Sequence, residues 1–399
     1  MKTCSTYTPP LDTNEAPTFQ PEKWDEVLHL YNTKQYNLIL PTILAYVNPA
    51  LAHKKTNEGY VLPHGSVTVY VQQSETELSI KCPFLNIENA KKTPLLRQLA
   101  EMRMNPLGLT NLVLENNEVV FYFKSPLHLC EPYKIYNVLR EICTFADSYD
   151  DELIEKFGAK NLQEPKIVSY PDTLKNTAYQ NYQAIIEDGL ARYDYYMSRR
   201  YENDAWYVLN TTFKKLDYCI APKGYLKNKL DNAINAFCSH RIAFHTRLHQ
   251  GKEDLLKLKG YSLEKLGSNL YKTETFVPTK YNGKKESIRK DWEGLYKDVK
   301  DMISSTNNEG ACLAMLSGFY NMYYYNLVNQ DIDKPLVDAM KQAAGLNYSE
   351  AAPILFNGMK AIMEDTVVEN DFGMDLSKAM GSKIQEAMQS FQNMMQSNN

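Results

Sequence analysis

The chain has 399 residues, 44% of them hydrophobic and 23% charged, with a net charge of −4, which is ordinary for a globular protein long enough for two domains. No stretch approaches the ~20 consecutive apolar residues of a transmembrane helix, and the first residues lack the apolar region of a secretory signal. The seven cysteines include no C-x-x-C pair, so we expect a cytoplasmic protein with reduced thiols and no membrane span.

Two features of the composition are unusual. The chain has 29 tyrosines against 14 phenylalanines and 3 tryptophans, and a tyrosine hydroxyl needs a polar partner even when its ring is buried. We therefore expect interfaces between helices that are partly exposed to water, or a contact surface for other molecules. Residues 210–300 are net basic and residues 301–399 are net acidic. These two regions either attract each other within the chain or form separate surfaces for partners.

The first predicted unit is a domain over residues 21–160, preceded by a polar, flexible arm over residues 1–20. Pro21 is well placed for a first helical turn, and the apolar residues behind it recur at helical spacing. Apolar residues then alternate over 67–71 and again over 78–82, with the polar turn QSETE between them. This pattern predicts a β-hairpin.

The same domain continues with a helix in TPLLRQLAEMRM and a second hairpin in NLVLENNEVVFYF. Asn116 and Asn117 lie between the two strands of this hairpin, and asparagine tolerates the positive φ of a tight turn. A long helix follows over about residues 131–157. Strands in adjacent antiparallel pairs, separated by helices, predict an α+β domain with helices on one face of an antiparallel sheet.

The order of these elements, with the run NPLGLTNLVLENNEVVFYFKSPLHLCEPYKIYNVLREICTFADSYDDELIEKFG, resembles the YbjN family and the wider type III secretion chaperone-like fold. In those proteins a hairpin precedes a long helix with a loosely acidic end. The resemblance covers roughly residues 21–160 and is carried by hydrophobic patterns. It implies a small α+β module that binds other proteins, often as a homodimer, without chemistry.

The second half of the chain predicts a Tyr-rich, all-α domain over residues 173–365, joined to the first domain by a linker over 161–172. Apolar residues three or four apart predict its first three helices over 179–197, 206–220 and 226–248. Further helices are predicted from Trp292 onward, after a long connection. We find no consistent repeat that would indicate a solenoid.

The last predicted element is an amphipathic, Met-rich helix over residues 374–399. Methionine side chains adapt to irregular grooves, so we predict that the apolar stripe of this helix binds a partner protein. Docking onto the chain itself and a membrane-surface role are the alternatives. The stripe consists of Met380, Ile384, Met388, Phe391 and Met395.

The stretch EICTFADSYDDELIEKF contains a cluster of acids: Asp147, Asp150, Asp151, Glu152 and Glu155. On a helix of about 100° per residue, Asp147, Asp151 and Glu155 face away from the apolar stripe and the other two flank it. The five do not converge, so we expect them to face water. Ser148 alternatively begins a capping box that starts a new helix, and a surface for a basic partner is a further alternative. A di-metal carboxylate bundle would use Glu-x-x-His steps, and no histidine is present in the stretch.

The stretch CSHRIAFHTRLH, residues 238–249, contains three histidines. His245 and His249 are one helical turn apart and could share a metal ion. Cys238 lies seven residues before His245, about 10 Å along a straight helix, which is too far for it to join them. No glutamate follows the first histidine, so the zinc-protease signature is absent. Because no third and fourth ligand is evident, we expect packed or exposed histidines, with no metal and no cofactor.

Lysines and arginines are interleaved with tyrosines between residues 252 and 290. Such a mixture can follow a single-stranded nucleic acid, but the charges are scattered and no nucleic-acid-binding motif is present. An exposed loop or a protein contact is the preferred interpretation. The sequence also lacks G-x-x-x-x-G-K-[ST], G-x-G-x-x-G and G-x-S-x-G, the usual frameworks for phosphate binding and for nucleophile elbows.

These patterns predict a non-enzymatic adaptor or chaperone that holds or delivers another protein. A role for this adaptor in a secretion or envelope-associated assembly is predicted only by the analogy of fold. Two alternatives stay open. One is a metal-dependent enzyme with a site between the two domains, built from His240, His245, His249 and the acids. The other is a single-stranded nucleic-acid binder that uses Lys284 and Lys285.

Overall fold

The computed structural model of the chain describes residues 3–11, 19–104, 107–278 and 280–364. The fold is mixed, with an antiparallel sheet and its helices first and a helix-rich region after them. None of the helices in these ranges is both long and apolar enough to cross a bilayer.

The sheet and its helices occupy the first part of the chain. The elements are α1 (Glu22–Asn32), α2 (Ile39–Val47), β1 (Lys55–Thr56), β2 (Gly59–His64), β3 (Val67–Gln73), β4 (Glu77–Asn86), α3 (Lys92–Met104), β5 (Asn111–Glu115), β6 (Glu118–Pro126), α4 (Pro132–Phe157) and β7 (Lys160–Asn161). Within the described ranges the strands follow the order β1-β2-β3-β4-β6-β5, all neighbours are antiparallel, and β7 pairs with β4.

Both predicted hairpins are present, as β3–β4 and β5–β6. Asn116 and Asn117 have φ of 49° and 68°, as expected for their tight turn. The sequence pattern does not predict β2, which pairs with β3 over residues 60–64 and contains Pro63 opposite Thr68. A proline normally argues against a strand in the middle of a sheet because it cannot donate a backbone hydrogen bond. Here β2 has only the two-residue β1 on its other side.

The long helix α4 has the predicted bounds. Its N-cap residue, Glu131, accepts a hydrogen bond from the backbone N–H of Lys134 (3.0 Å), and Gly158 ends the helix in the left-handed conformation with φ of 73°. The side chains of Val138 and Ile142 are fully buried, as part of the face that α4 turns toward β3, β4 and β6.

The helix-rich region begins after β7. The elements are β8 (Ile167–Ser169), α5 (Asp172–Met197), α6 (Glu202–Ile220), α7 (Gly224–Cys238), α8 (Phe244–Lys259), α9 (Leu263–Gly267), β9 (Tyr271–Thr273), β10 (Tyr281–Gly283), α10 (Lys285–Ser304), α11 (Asn308–Tyr325), β11 (Asn326–Val328), α12 (Gln330–Ala343) and α13 (Tyr348–Met363). Two short strand pairs, β8–β9 and β10–β11, were not expected in an all-helical region.

One helix prediction in this region is wrong. The apolar residues over 226–248 suggested a single helix ending near Gly251, but the chain forms α7, a break over 239–243, and then α8, which continues through Gly251 to Lys259. The apolar spacing persists across the break because both helices direct apolar residues into the same core. Spacing along the sequence therefore does not reveal the change of direction between them.

Buried apolar side chains form two clusters. The N-terminal core takes its residues from 27–159, together with Phe276 and Val277. The helical core takes its residues from 170–362, together with Cys4 and Leu11. Each region therefore contributes a short segment to the core of the other. In particular, residues 3–11, part of the arm expected to be flexible, lie against the helices.

The segment around Phe276 is attached to the turn between β2 and β3. The backbone N–H of Phe276 donates to His64 Nδ1 (3.3 Å), and the two rings meet edge to face with centroids 5.5 Å apart. The backbone N–H of Gly65 donates to the carbonyl of Glu274 (2.9 Å). Burial lowers the pKa of His64 to about 4, so this imidazole is neutral near pH 7 and can accept a hydrogen bond.

Phe276→Ala tests whether this segment helps to hold the N-terminal core. The ring is 3% exposed, and removal of a buried aromatic side chain costs about 3–5 kcal/mol, so we expect a loss of that size in the free energy of unfolding. Urea unfolding followed by circular dichroism measures it. Tyr281→Ala is the matched control, because Tyr281 is 62% exposed and its loss should cost about 0.5 kcal/mol or less. Equal effects of the two substitutions would contradict the assignment.

Candidate functional site

The acidic end of α4 lies where this helix packs against α7. Asp150 is 1% exposed and Glu152 is 7% exposed, so the expectation that the acids face water is wrong for both. Asp147 and Asp151 are half-buried and have protein partners, and Glu155 is exposed beside a lysine. The alternative capping box is also wrong, since α4 runs unbroken. The physical reason is that a later part of the chain covers the second face of α4.

Two glycines bring the backbone against these carboxylates. Gly65, with φ of 60°, lies in the turn between β2 and β3, and a Cβ at this position would overlap the carboxylate of Asp147. Gly224, with φ of 54°, begins α7, and a Cβ there would overlap Oδ2 of Asp151. The next residue, Tyr225, donates its backbone N–H to that oxygen (3.2 Å). The N-terminus of α7 is a favourable neighbour for a negative charge.

The hydroxyl of Ser66 lies between two carboxyl groups. Its Oγ is 3.0 Å from Asp147 Oδ1 and 2.5 Å from Asp150 Oδ2. A serine hydroxyl has one proton to donate, so it cannot serve two ionised carboxylates at once. The arrangement is satisfied only when one of the two carboxyl groups carries a proton and donates it to Oγ.

The surroundings assign this proton to Asp150. Burial raises the pKa of the Asp150 carboxyl well above its usual range, and the charges of Asp151 and Asp147 raise it further. Burial also raises the pKa of Asp147, but the N–H of Ser66 (2.6 Å) and its hydroxyl favour the ionised form there. With the proton on Asp150, its carboxyl group donates to Ser66, and Ser66 donates to Asp147.

This acid pair is part of a packed junction. Asn228 of α7 donates to the carbonyl of Ser148 (3.0 Å) and to Glu152 (3.0 Å). These two contacts with α7 lie on either side of Asp150 along α4. In the part of the chain that the structure describes, no three His, Cys, Asp or Glu side chains are grouped in a way that could hold a metal ion. The junction joins α4, α7 and the β2–β3 turn.

The histidine stretch is divided by the break between α7 and α8. Cys238 ends α7, whereas His245 and His249 lie on α8, where both are exposed. Their Nε2 atoms are 2.9 Å apart. The structure therefore brings together the two histidines that the spacing singled out and separates Cys238 from them by a change of helix.

Many lysines of the basic stretch are paired with acids of the same chain. The pairs are Lys252–Asp194, Lys257–Asp254, Lys259–Glu187, Lys265–Glu155, Lys280–Asp217 and Lys285–Asp331. Asp217 is 4% exposed, and although burial opposes its ionisation, Lys227 and Lys280 hold its pKa well below the usual range. Lys285–Asp331 joins the basic region to the acidic one. This internal pairing argues against a row of unpaired basic side chains that could bind a nucleic acid.

The sequence analysis did not predict the most elaborate contact of the helical core, which involves residues 3–11. These residues, hereafter the N-terminal segment, run along α5, α6 and the turn before α13. The backbone N–H of Cys4 donates to the carbonyl of Leu346 (2.8 Å), and the N–H of Leu11 donates to the carbonyl of Cys219 (2.8 Å). We call the surface that holds this segment the groove.

Three backbone carbonyls of the N-terminal segment accept hydrogen bonds from side chains of the groove. Arg192 Nη1 donates to the carbonyl of Thr3 (2.9 Å), and Lys215 Nζ donates to that of Thr6. The thiol of Cys219 donates to the carbonyl of Thr8 (3.1 Å). Hydrogen bonds from charged donors contribute about 1.5–3 kcal/mol each, more than neutral ones.

The two cations are themselves buried. Arg192 is 8% exposed and Lys215 is 4% exposed, and burial lowers the pKa of Lys215. Asp188 holds Arg192 in place through Nε (2.9 Å) and accepts a hydrogen bond from the hydroxyl of Ser5 (3.2 Å). A cavity of about 30 Å³ remains between Ser5, these charges and α11. Because a buried cation needs a partner, the carbonyls of the segment stabilise the charges of the groove.

Apolar and aromatic contacts anchor the N-terminal segment at both ends. Cys4 is 2% exposed and Leu11 is 8% exposed. A hydrogen bond with the Cys312 thiol lowers the pKa of Cys4, and nearby Arg192 lowers it further, while burial opposes both. Tyr7 places its hydroxyl 3.2 Å from that of Tyr218. Tyr218 is buried and Tyr7 is half-buried, and the contact gives each hydroxyl the polar partner that a buried tyrosine needs.

The sequence pattern gives little signal for the groove. Residues 208–220 of α6, VLNTTFKKLDYCI, are all buried in the structure, although they include Lys214, Lys215 and Asp217. Charged side chains at buried positions need partners inside the protein. The sequence does not show that the partner of Lys215 lies more than two hundred residues earlier.

The predicted partner-binding stripe lies outside the described residues. Its members are Met380, Ile384, Met388, Phe391 and Met395, and the prediction that they bind a partner stays a prediction.

In comparison with known proteins, no family model, no curated protein and no solved structure matches this chain.

Asp150→Asn tests the buried proton. The amide can accept from the N–H of Asp151 and donate to Ser66, as the protonated carboxyl does. A raised folded-state pKa contributes stability below the unfolded-state pKa, and this contribution is lost as the pH rises through the folded-state value. We expect the variant to match the unaltered protein at about pH 4 and to exceed its free energy of unfolding by about 1–3 kcal/mol at about pH 8. Urea unfolding at both pH values measures the difference.

Asp301→Asn, on the exposed surface of α10, serves as the control and should leave the pH profile unchanged. If Asp150→Asn gives a profile parallel to that of the unaltered protein, Asp150 is not the residue that holds the proton.

Proposed function

We propose that the chain is a non-enzymatic, protein-binding adaptor, built from an α+β domain over residues 21–160 and a helical domain over 173–365. Its groove binds a peptide segment of a partner protein, and its own N-terminal segment occupies the groove in the unbound chain. The observation that supports this proposal is the pair of buried cations, Arg192 and Lys215, that donate to backbone carbonyls of the segment.

The chemistry of the groove defines the partner segment. Most polar contacts reach backbone N–H and C=O groups, so they tolerate different side chains, as in other modes of peptide recognition through the main chain. Selectivity comes from the buried positions of Cys4 and Leu11, seven residues apart. The expected partner segment has a small apolar residue at the first position, a larger one at the second, and no charges between them, because Arg192 and Lys215 already have acidic or carbonyl partners.

A partner must displace the N-terminal segment. Because the segment and the groove belong to one chain, the effective concentration of the segment is on the order of millimolar. A partner therefore needs either high affinity or a second contact elsewhere on the adaptor. The Met-rich stripe over 374–399 is the proposed second contact.

The resemblance to the YbjN and secretion-chaperone proteins agrees with this proposal but does not carry it. An adaptor in a secretion or envelope-associated assembly, a homodimer and a cytoplasmic location stay predictions from the sequence. The internal pairing of the basic lysines and the packed surroundings of Ser66 favour an adaptor over a nucleic-acid binder or an enzyme.

The proposal is tested by exchange of the N-terminal segment. A protease recognition sequence placed within residues 12–18 of the full chain allows the segment to be cut while it remains in the groove. We expect a fluorescent peptide of residues 1–11 to replace it with saturable binding, measured by anisotropy under reducing conditions. Lys215→Met should weaken binding at least about tenfold, because it removes a charged hydrogen bond of about 1.5–3 kcal/mol.

Lys297→Met is the matched control, since Lys297 is exposed on α10 and should leave the affinity unchanged. A peptide N-methylated at Cys4 loses its donor to Leu346 and should also bind more weakly. If the cut protein stays folded and no peptide exchanges, or if Lys215→Met binds as tightly as the unaltered protein, the groove is a fixed part of the fold and the proposal fails.

A further inference from the structure

Three side chains from two helices form a hydrogen-bonded chain on the surface. Glu202, in the first turn of α6, has its Oε1 3.1 Å from His245 Nδ1. His245 Nε2 lies 2.9 Å from His249 Nε2, one turn further along α8. The ring centroids of the two histidines are 4.5 Å apart. All three side chains are accessible to solvent, with His245 61% and Glu202 41% exposed.

The order of these contacts sets the protonation of His245. An ionised carboxylate only accepts hydrogen bonds, so His245 Nδ1 carries the proton and donates it to Glu202. In the neutral imidazole, the Nε2 atom of His245 then carries a lone pair, which accepts the hydrogen bond from His249 Nε2 in the absence of an ion. Carboxylates that orient a histidine in this way are the usual second layer around protein metal ions.

The separation of the two Nε2 atoms indicates which ions fit. Imidazole nitrogens bind first-row metal ions at ~2.0–2.1 Å, and two such atoms 2.9 Å apart subtend an angle of ~90° at the ion. That angle suits neighbouring positions of square-planar or octahedral ions such as Cu²⁺ and Ni²⁺, and is smaller than the tetrahedral angle of Zn²⁺.

We propose that His245 and His249 form a surface site for a divalent nickel or copper ion, with water completing the coordination and Glu202 orienting His245. The proton that His249 holds on Nε2 moves to its Nδ1 when the ion binds, so both Nε2 lone pairs reach the metal. Both rings are exposed and can turn toward a common point. The site is independent of the groove and of the proposed function.

The test measures Ni²⁺ binding to the full chain by titration calorimetry, because Ni²⁺ does not oxidise the free thiols as Cu²⁺ does. We expect one saturable site per chain, with Zn²⁺ bound more weakly. His245→Gln and His249→Gln should each weaken Ni²⁺ binding by more than tenfold, and Glu202→Gln should weaken it by about tenfold. His240→Gln, five residues before His245 in the break between the helices, is the control and should change nothing.

Two outcomes would overturn the proposal. If the double variant His245→Gln/His249→Gln binds Ni²⁺ as tightly as the unaltered chain, the ion binds elsewhere. If Zn²⁺ binds more tightly than Ni²⁺ at the same histidines, the ~90° geometry is not the one that the site offers. Circular dichroism of each variant confirms that these exposed substitutions leave the fold intact.

Discussion

The structure depends on the pairing of buried charge. Three of the buried ionisable groups that the structure describes have partners from distant parts of the sequence. Asp150 shares Ser66 with Asp147, and Asp217 lies between two lysines. Lys215 reaches the backbone of the N-terminal segment. An unpaired charge in any of these positions would cost several kcal/mol, so the pairs fix how the parts of the chain meet.

The acid pair, Asp217 and the groove differ in whether another molecule could replace the partner group. The acid pair requires the hydroxyl of Ser66 and the proton on Asp150, and Asp217 requires cations. In contrast, the groove requires carbonyl groups, which every peptide has. This difference is why the groove, and neither of the other buried sites, is the proposed binding site. The cost of emptying it is the exposure of Cys4 and Leu11 and the loss of partners for Arg192 and Lys215.

Local pattern predicted a large part of the fold. The two hairpins, the bounds of α4 and most helices of the second half follow from periodicity and from turn residues such as Asn116 and Asn117. The predictions from this pattern failed at two places. Pro63 argued against a strand where β2 forms, and a continuous apolar spacing predicted one helix where the chain forms α7 and α8. The candidate sites were less predictable, because the groove and the acid pair each join residues far apart in sequence.

The sequence by itself determined the two hairpins, helix α4 and most helices of the second half, that one region is basic and the next acidic, and that His245 and His249 share a helix face. These are local properties, set by side-chain spacing and backbone preference. Only the tertiary structure decided that Asp150 and Glu152 of α4 are buried, that residues 3–11 lie in a groove, and that Glu202 reaches His245. The reason is physical: burial and pairing depend on which surface covers a residue, and that surface comes from a distant part of the chain.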